Sequence, residues 1–198
     1  HQTRPSIAAT LADRRAAERL LREAGIGDRF VALAPGSIWG SKRWPHYAQL
    51  ACRLASGGIP IVTVGGPEDA PLGVEIVAAV ERAGGRAVNA CGTLSLREAG
   101  ALLGQAAVLV TNDSAPLHLA QAVETPTVAI FGPTVPEFGF GPRGPRDEAL
   151  GVKGLPCRPC HRHGPPACPL GHHRCMRELS VEHVLHAVEE TGALRRRG

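Results

Sequence analysis

The sequence predicts an α/β protein, a doubly wound Rossmann-like domain built on a parallel sheet. Three observations carry that expectation. Runs of β-branched and apolar residues alternate with helical stretches along the chain, the pattern of parallel strands joined by crossover helices. Two of these runs, Phe30–Ala34 and the one ending at Leu109-Val110, read as strands buried on both faces. Both end in polar loops, and sheets of this kind bind ligands at the carboxyl ends of their strands.

The elements follow in order. Ala12 to Ala24 repeats small and apolar residues at helical spacing and stops at Gly25, which predicts a helix. After the strand Phe30–Ala34, Pro45 opens a helix over Tyr47 to Ser56. The next strand covers Ile59 to Val64, ends in Gly65-Gly66-Pro67-Glu68-Asp69, and leads to a helix from Pro71 to Ala83. Ala87 to Ala90 is a short strand, followed by Gly92-Thr93-Leu94-Ser95 and a helix over Leu96 to Leu103. A strand over Ala107 to Thr111, a helix from Pro116 and a strand over Pro126 to Phe131 come next. A last helix spans Val181 to Thr191, with Ser180 as its cap. No G-x-G-x-x-G turn follows the first strand, so the dinucleotide fingerprint is absent.

At 198 residues the chain suits one domain, and 43% hydrophobic with 20% charged residues is ordinary for a globular protein. The net charge of +4 is modest and no basic stripe carries interleaved aromatics, which argues against a nucleic-acid partner. Arg195-Arg196-Arg197 reads as a solvated chain end. No apolar run approaches the roughly 20 residues a membrane helix needs, and no signal peptide is visible. A chain that starts at His1 reads as a piece of a longer protein, whose remainder could hold a targeting signal.

Two loops point to a ligand. In Thr111-Asn112-Asp113-Ser114-Ala115-Pro116, Asp113 or Ser114 can cap the helix that starts there, and Pro116 falls in its first turn, where no amide hydrogen is missed. Free backbone N–H groups then face the carboxyl end of a strand, beside an acid and the His118 imidazole. Such a helix start carries partial positive charge and suits a phosphate. In the loop after Ala34, Gly36 lets backbone approach a ligand closely, Ser37 offers a hydroxyl and Lys42 a mobile cation. Each loop alone has a plainer reading, a capped helix or a solvated basic turn. Two polar strand ends in one sheet favour a shared anionic ligand.

At this point the motifs resemble a family. Pro35-Gly36-Ser37 with Lys42-Arg43-Trp44-Pro45, Gly65-Gly66-Pro67-Glu68-Asp69, Cys91-Gly92-Thr93-Leu94-Ser95-Leu96, Asn112 through Ala120, and Phe131-Gly132-Pro133-Thr134 occur in the order seen in ADP-heptose:lipopolysaccharide heptosyltransferases. The resemblance is strongest to the carboxyl-terminal half of the heptosyltransferase II type. It implies one half of an inverting, GT-B type glycosyltransferase acting in lipopolysaccharide core biosynthesis, with no metal or cofactor needed for catalysis. It further implies an ADP-heptose or related nucleotide-sugar donor on this half. The acceptor, resembling lipopolysaccharide core, and the catalytic base would belong to an N-terminal domain outside this chain. This chain alone is then expected to be inactive. Cytoplasmic location, at the inner face of the inner membrane, is part of the same implication.

Roles carry over by position. Lys42 matches the lysine facing the donor diphosphate, and Ser37 a phosphate-contacting hydroxyl. Glu68, or its neighbour Asp69, matches an acid near the ribose. Asp113 matches the acid that hydrogen-bonds the sugar, while Ser114, Ala115 and His118 sit at the diphosphate-binding helix start. The family usually has glycine where Ala115 stands and often Met where Leu117 stands, so the extra methyl is expected to crowd the diphosphate. On these grounds the chain divides into a linker with the first helix (1–29), a nucleotide-sugar-binding domain (30–150), a Cys/His/Pro-rich loop (151–179) and a C-terminal helix and tail (180–198).

Cys157, Cys160, Cys168 and Cys175 lie in that loop, in a stretch that also looks like the family. They could hold a structural zinc or iron ion, with Cys157-x-x-Cys160 as one half and His161, His163, His172 or His173 as substitutes. Two disulfides or free thiols are the alternatives. Cys52 and Cys91 read as core residues. Two other functions fit the same residues: another sugar-nucleotide enzyme of this architecture, with a different donor or an epimerase activity, and a non-catalytic nucleotide- or metal-binding module.

Overall fold

Strands that are apolar on both faces need a helix layer on each side, and the chain builds that arrangement. The structure, a computed structural model, describes residues 6–138 and 141–194. The basic tail Arg195-Arg196-Arg197 lies outside the described residues. The elements run α1 (Leu11–Glu23), β1 (Val31–Ala34), α2 (Tyr47–Ser56), β2 (Ile61–Thr63), α3 (Ala70–Arg82), β3 (Ala87–Asn89), α4 (Leu96–Leu103), β4 (Val108–Asn112), α5 (Ala115–Ala122), β5 (Thr127–Ile130), β6 (Glu148–Leu150), α6 (Arg174–Arg177) and α7 (Val181–Glu190). The six strands are parallel in the order β3-β2-β1-β4-β5-β6, a doubly wound sheet whose winding reverses between β1 and β4.

Alternate residues divide the two cores. Val31, Leu33, Val108, Val110, Val128 and Ile130 face α2, α3 and α7, whereas Ala32, Ala34, Val62 and Leu109 face α1 and α4. Side chains in a strand point to opposite faces at period two, so a four-residue run such as Val31–Ala34 feeds both layers. The small alanines of β1 sit on the α1/α4 side, where Ala17 and Leu21 of α1 approach.

Local signals set the helix ends. Thr10 and Ser95 form capping boxes with Asp13 and Glu98, and Ser180 accepts from the His183 amide. Pro60 lacks an amide hydrogen, and β2 begins just after it. Two short elements, β6 and α6, were not expected. β6 is an edge strand whose first two residues are exposed, so it lacks the apolar run by which the inner strands are recognised. α1, the first helix, packs on α4. No described helix is long and apolar enough to cross a membrane.

Candidate functional site at the sheet's crossover point

Where the winding reverses, the loops after β1 and β4 diverge to opposite sides of the sheet and leave a cleft at the strands' carboxyl ends. The cleft has a volume of about 660 Å³. Gly36, Ser37 and Lys42 line it from the β1 loop, and Gly65, Gly66, Glu68 and Asp69 from the β2 loop. Asp113, Ser114, Ala115 and His118 line it from β4 and α5. Every donor-site residue singled out in the sequence therefore borders one cavity. Arg162 and His163, from the Cys/His-rich loop, border it too.

Asn112 joins the two sides. It ends β4 fully buried, and its Nδ2 donates to the carbonyls of Pro35 and Gly36 at 2.9 and 3.1 Å. Its Oδ1 accepts from the Trp44 amide at 3.1 Å and the Tyr47 hydroxyl at 3.2 Å. One amide side chain thus pins the β1 loop and the entry to α2. An Asn ending an apolar strand is the signal that could have marked it, because a buried amide must be satisfied.

Lys42 is not the mobile cation expected. It is 7% exposed, and its Nζ donates to Asp113 Oδ2 at 2.6 Å and to the Asp113 carbonyl at 3.2 Å. The Thr134 hydroxyl donates to the same carboxylate oxygen at 2.7 Å. Asp113 therefore does not cap α5. Ser114 occupies the cap position, but its hydroxyl donates back to the Asn112 carbonyl, and no side chain caps the helix. The reason is geometric: the Asp113 carboxylate turns toward the buried ammonium, a stronger partner than a neutral amide. The start of α5 is left without a side-chain acceptor.

Gly36 lies against the β2 loop. The room above it is filled by Asp69, whose Oδ1 would lie 1.9 Å from a Cβ at that position. A side chain there would meet that carboxylate, so glycine leaves room for its close approach. Asp69 Oδ2 accepts from the Gly66 amide at 3.1 Å. Burial pushes its carboxyl above the usual aspartate value, partly opposed by that hydrogen bond. Of the two acids in this loop, Glu68 is the exposed one. Leu117 points away from the cleft into a small cluster with Ala129 and Phe131.

The Cys/His-rich loop crosses over this site. Ser41 Oγ donates to the Pro165 carbonyl, His173 Nε2 lies 2.6 Å from the Ser41 carbonyl, and Gly164 packs beside the methylene chain of Lys42. Its cysteines are free thiols, and among the described residues no group of three or more His, Cys, Asp or Glu is placed to hold a metal ion. Their duties differ. Cys175 is buried in the core beside Met176 and Leu179, Cys168 Sγ accepts from the His173 amide, and Cys160 is exposed. Burial raises the Cys175 thiol to about 11 and that of Cys91, a core residue as expected, to about 11 as well. Cys52 is only half-buried, because it lies a helical step round from the core-facing Leu50, Ala51 and Leu54.

Comparison with known proteins bears directly on this geometry. A glycosyltransferase family 9 (heptosyltransferase) model matches residues 1–169. Lipooligosaccharide heptosyltransferase 2 of Haemophilus influenzae is 39% identical over 118 residues, which are 57% of this chain and 34% of that protein. The glycosyl transferase family 9 structure from Veillonella parvula superposes with a TM-score of 0.78 at 25% identity, over 94% of this chain and 53% of that one. The ADP-heptose LPS heptosyltransferase II structure from E. coli gives 0.74 at 25% identity, over the same shares of 94% and 53%. This chain therefore spans about a third of that relative's length and about half of each solved structure. The family model, the sequence identity and the superpositions agree, and the chain belongs to glycosyltransferase family 9, the heptosyltransferases.

Proposed function

We propose that this chain is the donor-binding part of an inverting heptosyltransferase that takes ADP-heptose or a closely related nucleotide sugar. The observation that carries the reading is the convergence, on one cleft, of an uncapped helix start, a buried lysine and an acidic loop. In this reading the diphosphate lies at the start of α5, where backbone dipoles favour anions. Lys42 steadies the charge that develops on the leaving diphosphate as the glycosidic bond breaks, so catalysis is electrostatic and calls on no metal. Asp113 keeps Oδ1 for a sugar hydroxyl, since both side-chain partners sit on Oδ2. Glu68 accepts from the ribose, Ser37 from beside the phosphates donates its hydroxyl, and Leu94, Leu96 and Leu119 offer an apolar wall for the base.

The base that deprotonates the acceptor, and the lipopolysaccharide-core acceptor itself, belong in this reading to a second domain. Action at the inner face of the inner membrane is part of the same proposal. Calorimetric titration with ADP, UDP and GDP tests the donor reading. ADP should bind, with UDP and GDP weaker, and transfer from ADP-heptose should be undetectable until an N-terminal domain is supplied. Absence of nucleotide binding would overturn the donor reading, and transfer at an ordinary enzymatic rate by these 198 residues would overturn the division of labour.

A further inference from the structure

We propose that Arg158 is a positioning residue for the Lys42–Asp113 pair, acting through Thr134, and thereby sets the affinity of the cleft for a nucleoside diphosphate. The inference rests on the donor-binding reading above. Arg158 does not line the cleft. Its Nε donates to the Gly132 carbonyl at 2.5 Å and its Nη1 to that of Val152 at 2.6 Å. Its Nη2 donates to Phe131 at 2.9 Å and Thr134 at 3.1 Å. All four acceptors are main-chain carbonyls. Three belong to the turn leaving β5, and the fourth lies just past β6, so a planar fork of donors fastens that turn to the sheet edge. An ammonium could not span the same four points. The Cys160 amide adds a bond to Pro133 at 3.0 Å from the same segment.

What the turn carries makes the clamp relevant. Thr134 is 1% exposed, and its single hydroxyl proton goes to Asp113 Oδ2, the oxygen that also holds Lys42 Nζ. From Arg158 to the ammonium the path is one carbonyl, one hydroxyl and one carboxylate, with no solvent-exposed link after the guanidinium. A hydroxyl that drifts by a few tenths of an ångström off its acceptor loses most of the bond's directionality. Asp113 is then itself held by one partner fewer, and the ammonium that it positions toward the diphosphate is less well placed. The turn that Arg158 ties is itself buried from Phe131 to Thr134, and the half-buried guanidinium is given to its carbonyls. That arrangement holds a buried hydroxyl in register.

The test is calorimetric titration of ADP into the full chain, its Arg158→Met and Thr134→Val variants and the double variant, with thermal melts of each. Each single change should weaken ADP by about fivefold or more while leaving adenosine binding unchanged. The double variant should be no weaker than the weaker single, because both break one path. If Arg158 merely supports the fold, its loss lowers the melting temperature with ADP affinity intact, or the two losses multiply; either result overturns the proposal. Should Arg158→Met not fold, Gly151→Ala presses on the same contact, since a methyl there would lie 2.6 Å from Nη2 and 2.7 Å from the Phe131 carbonyl oxygen that Nη2 bonds. A folded Gly151→Ala variant with undiminished ADP affinity also overturns it. Failure of the parent chain to bind ADP would instead defeat the donor-binding reading and take this inference with it.

Discussion

In β4 every residue from Val108 to Asn112 is buried, and apolar neighbours on both faces hold the strand. Between Gly151 and His173 the chain forms no helix or strand, and most side chains are exposed. Apart from Leu155, which is buried in the core with Val152 and Cys157 against it, that segment is held by a few polar contacts: the Arg158 fork, Ser41 to Pro165, His173 to Ser41 and Cys160 to Pro133. The difference is one of redundancy. A buried strand loses a fraction of its contacts when one side chain is cut back, whereas a loop tied at few points loses a whole tie. The cleft lies between the two regimes, and Lys42 touches both, with its ammonium on the β4 carboxylate and its stem against Gly164.

The comparison can be broken most forcefully from the sheet side. Leu109 is fully buried beneath α1 and α4, and Leu109→Ala should cost about 2–5 kcal/mol, read as a shift in the denaturant midpoint of the whole domain. A loss confined to one region would show that the sheet does not unfold as a unit. Next in size comes Lys42→Ala. Removing a charge-assisted contact should weaken ADP by about 1.5–3 kcal/mol, or roughly tenfold to a hundredfold, with adenosine little affected. Equal ADP affinity in folded variant and parent would make Lys42 a structural cation only.

Ser41→Ala probes the loop itself. Losing the bond to Pro165 should cost about 1 kcal/mol, and the cost should appear as faster amide hydrogen exchange over 161–173 with the strands unchanged. Exchange that rises equally in β4 would erase the contrast between the regions. The smallest effect concerns Asp69. Its carboxyl is raised above 3.8 by burial, so just above that value the native state binds more protons than the unfolded chain. Stability should therefore fall as pH rises through this window, the reverse of an ion-paired aspartate. Asp69→Asn, which keeps an acceptor for the Gly66 amide, should flatten that slope in pH-dependent melts; an unchanged slope would assign it to another group.

Much of the architecture was legible because it is written at short range. The bounds of α2 and α4 match the periodic runs read from the sequence, and Ser95 and Ser180 cap where the pattern begins. The inner strands announce themselves as apolar runs, and polar strand ends mark the loops that border the cleft. β6 did not, because an edge strand with two exposed residues has no such pattern. The four cysteines of the expected metal site lie near enough to one another to raise each other's thiols, yet among the described residues no three such groups are placed to hold a metal ion.

By itself, then, the sequence determined the sheet, its helices and which loops gather at its carboxyl edge, since propensity, capping and apolar period act within a few residues. Tertiary structure alone decided how the site is wired. The Lys42–Asp113 pair closes across 71 positions and His173 reaches Ser41 across 132. Asp69 fills the space over Gly36, and Arg158 reaches the turn that carries Thr134. No local pattern encodes such pairs. Their partners are chosen by which loops the winding of the sheet brings together, and by the need of every buried charge and amide to find an acceptor or donor there.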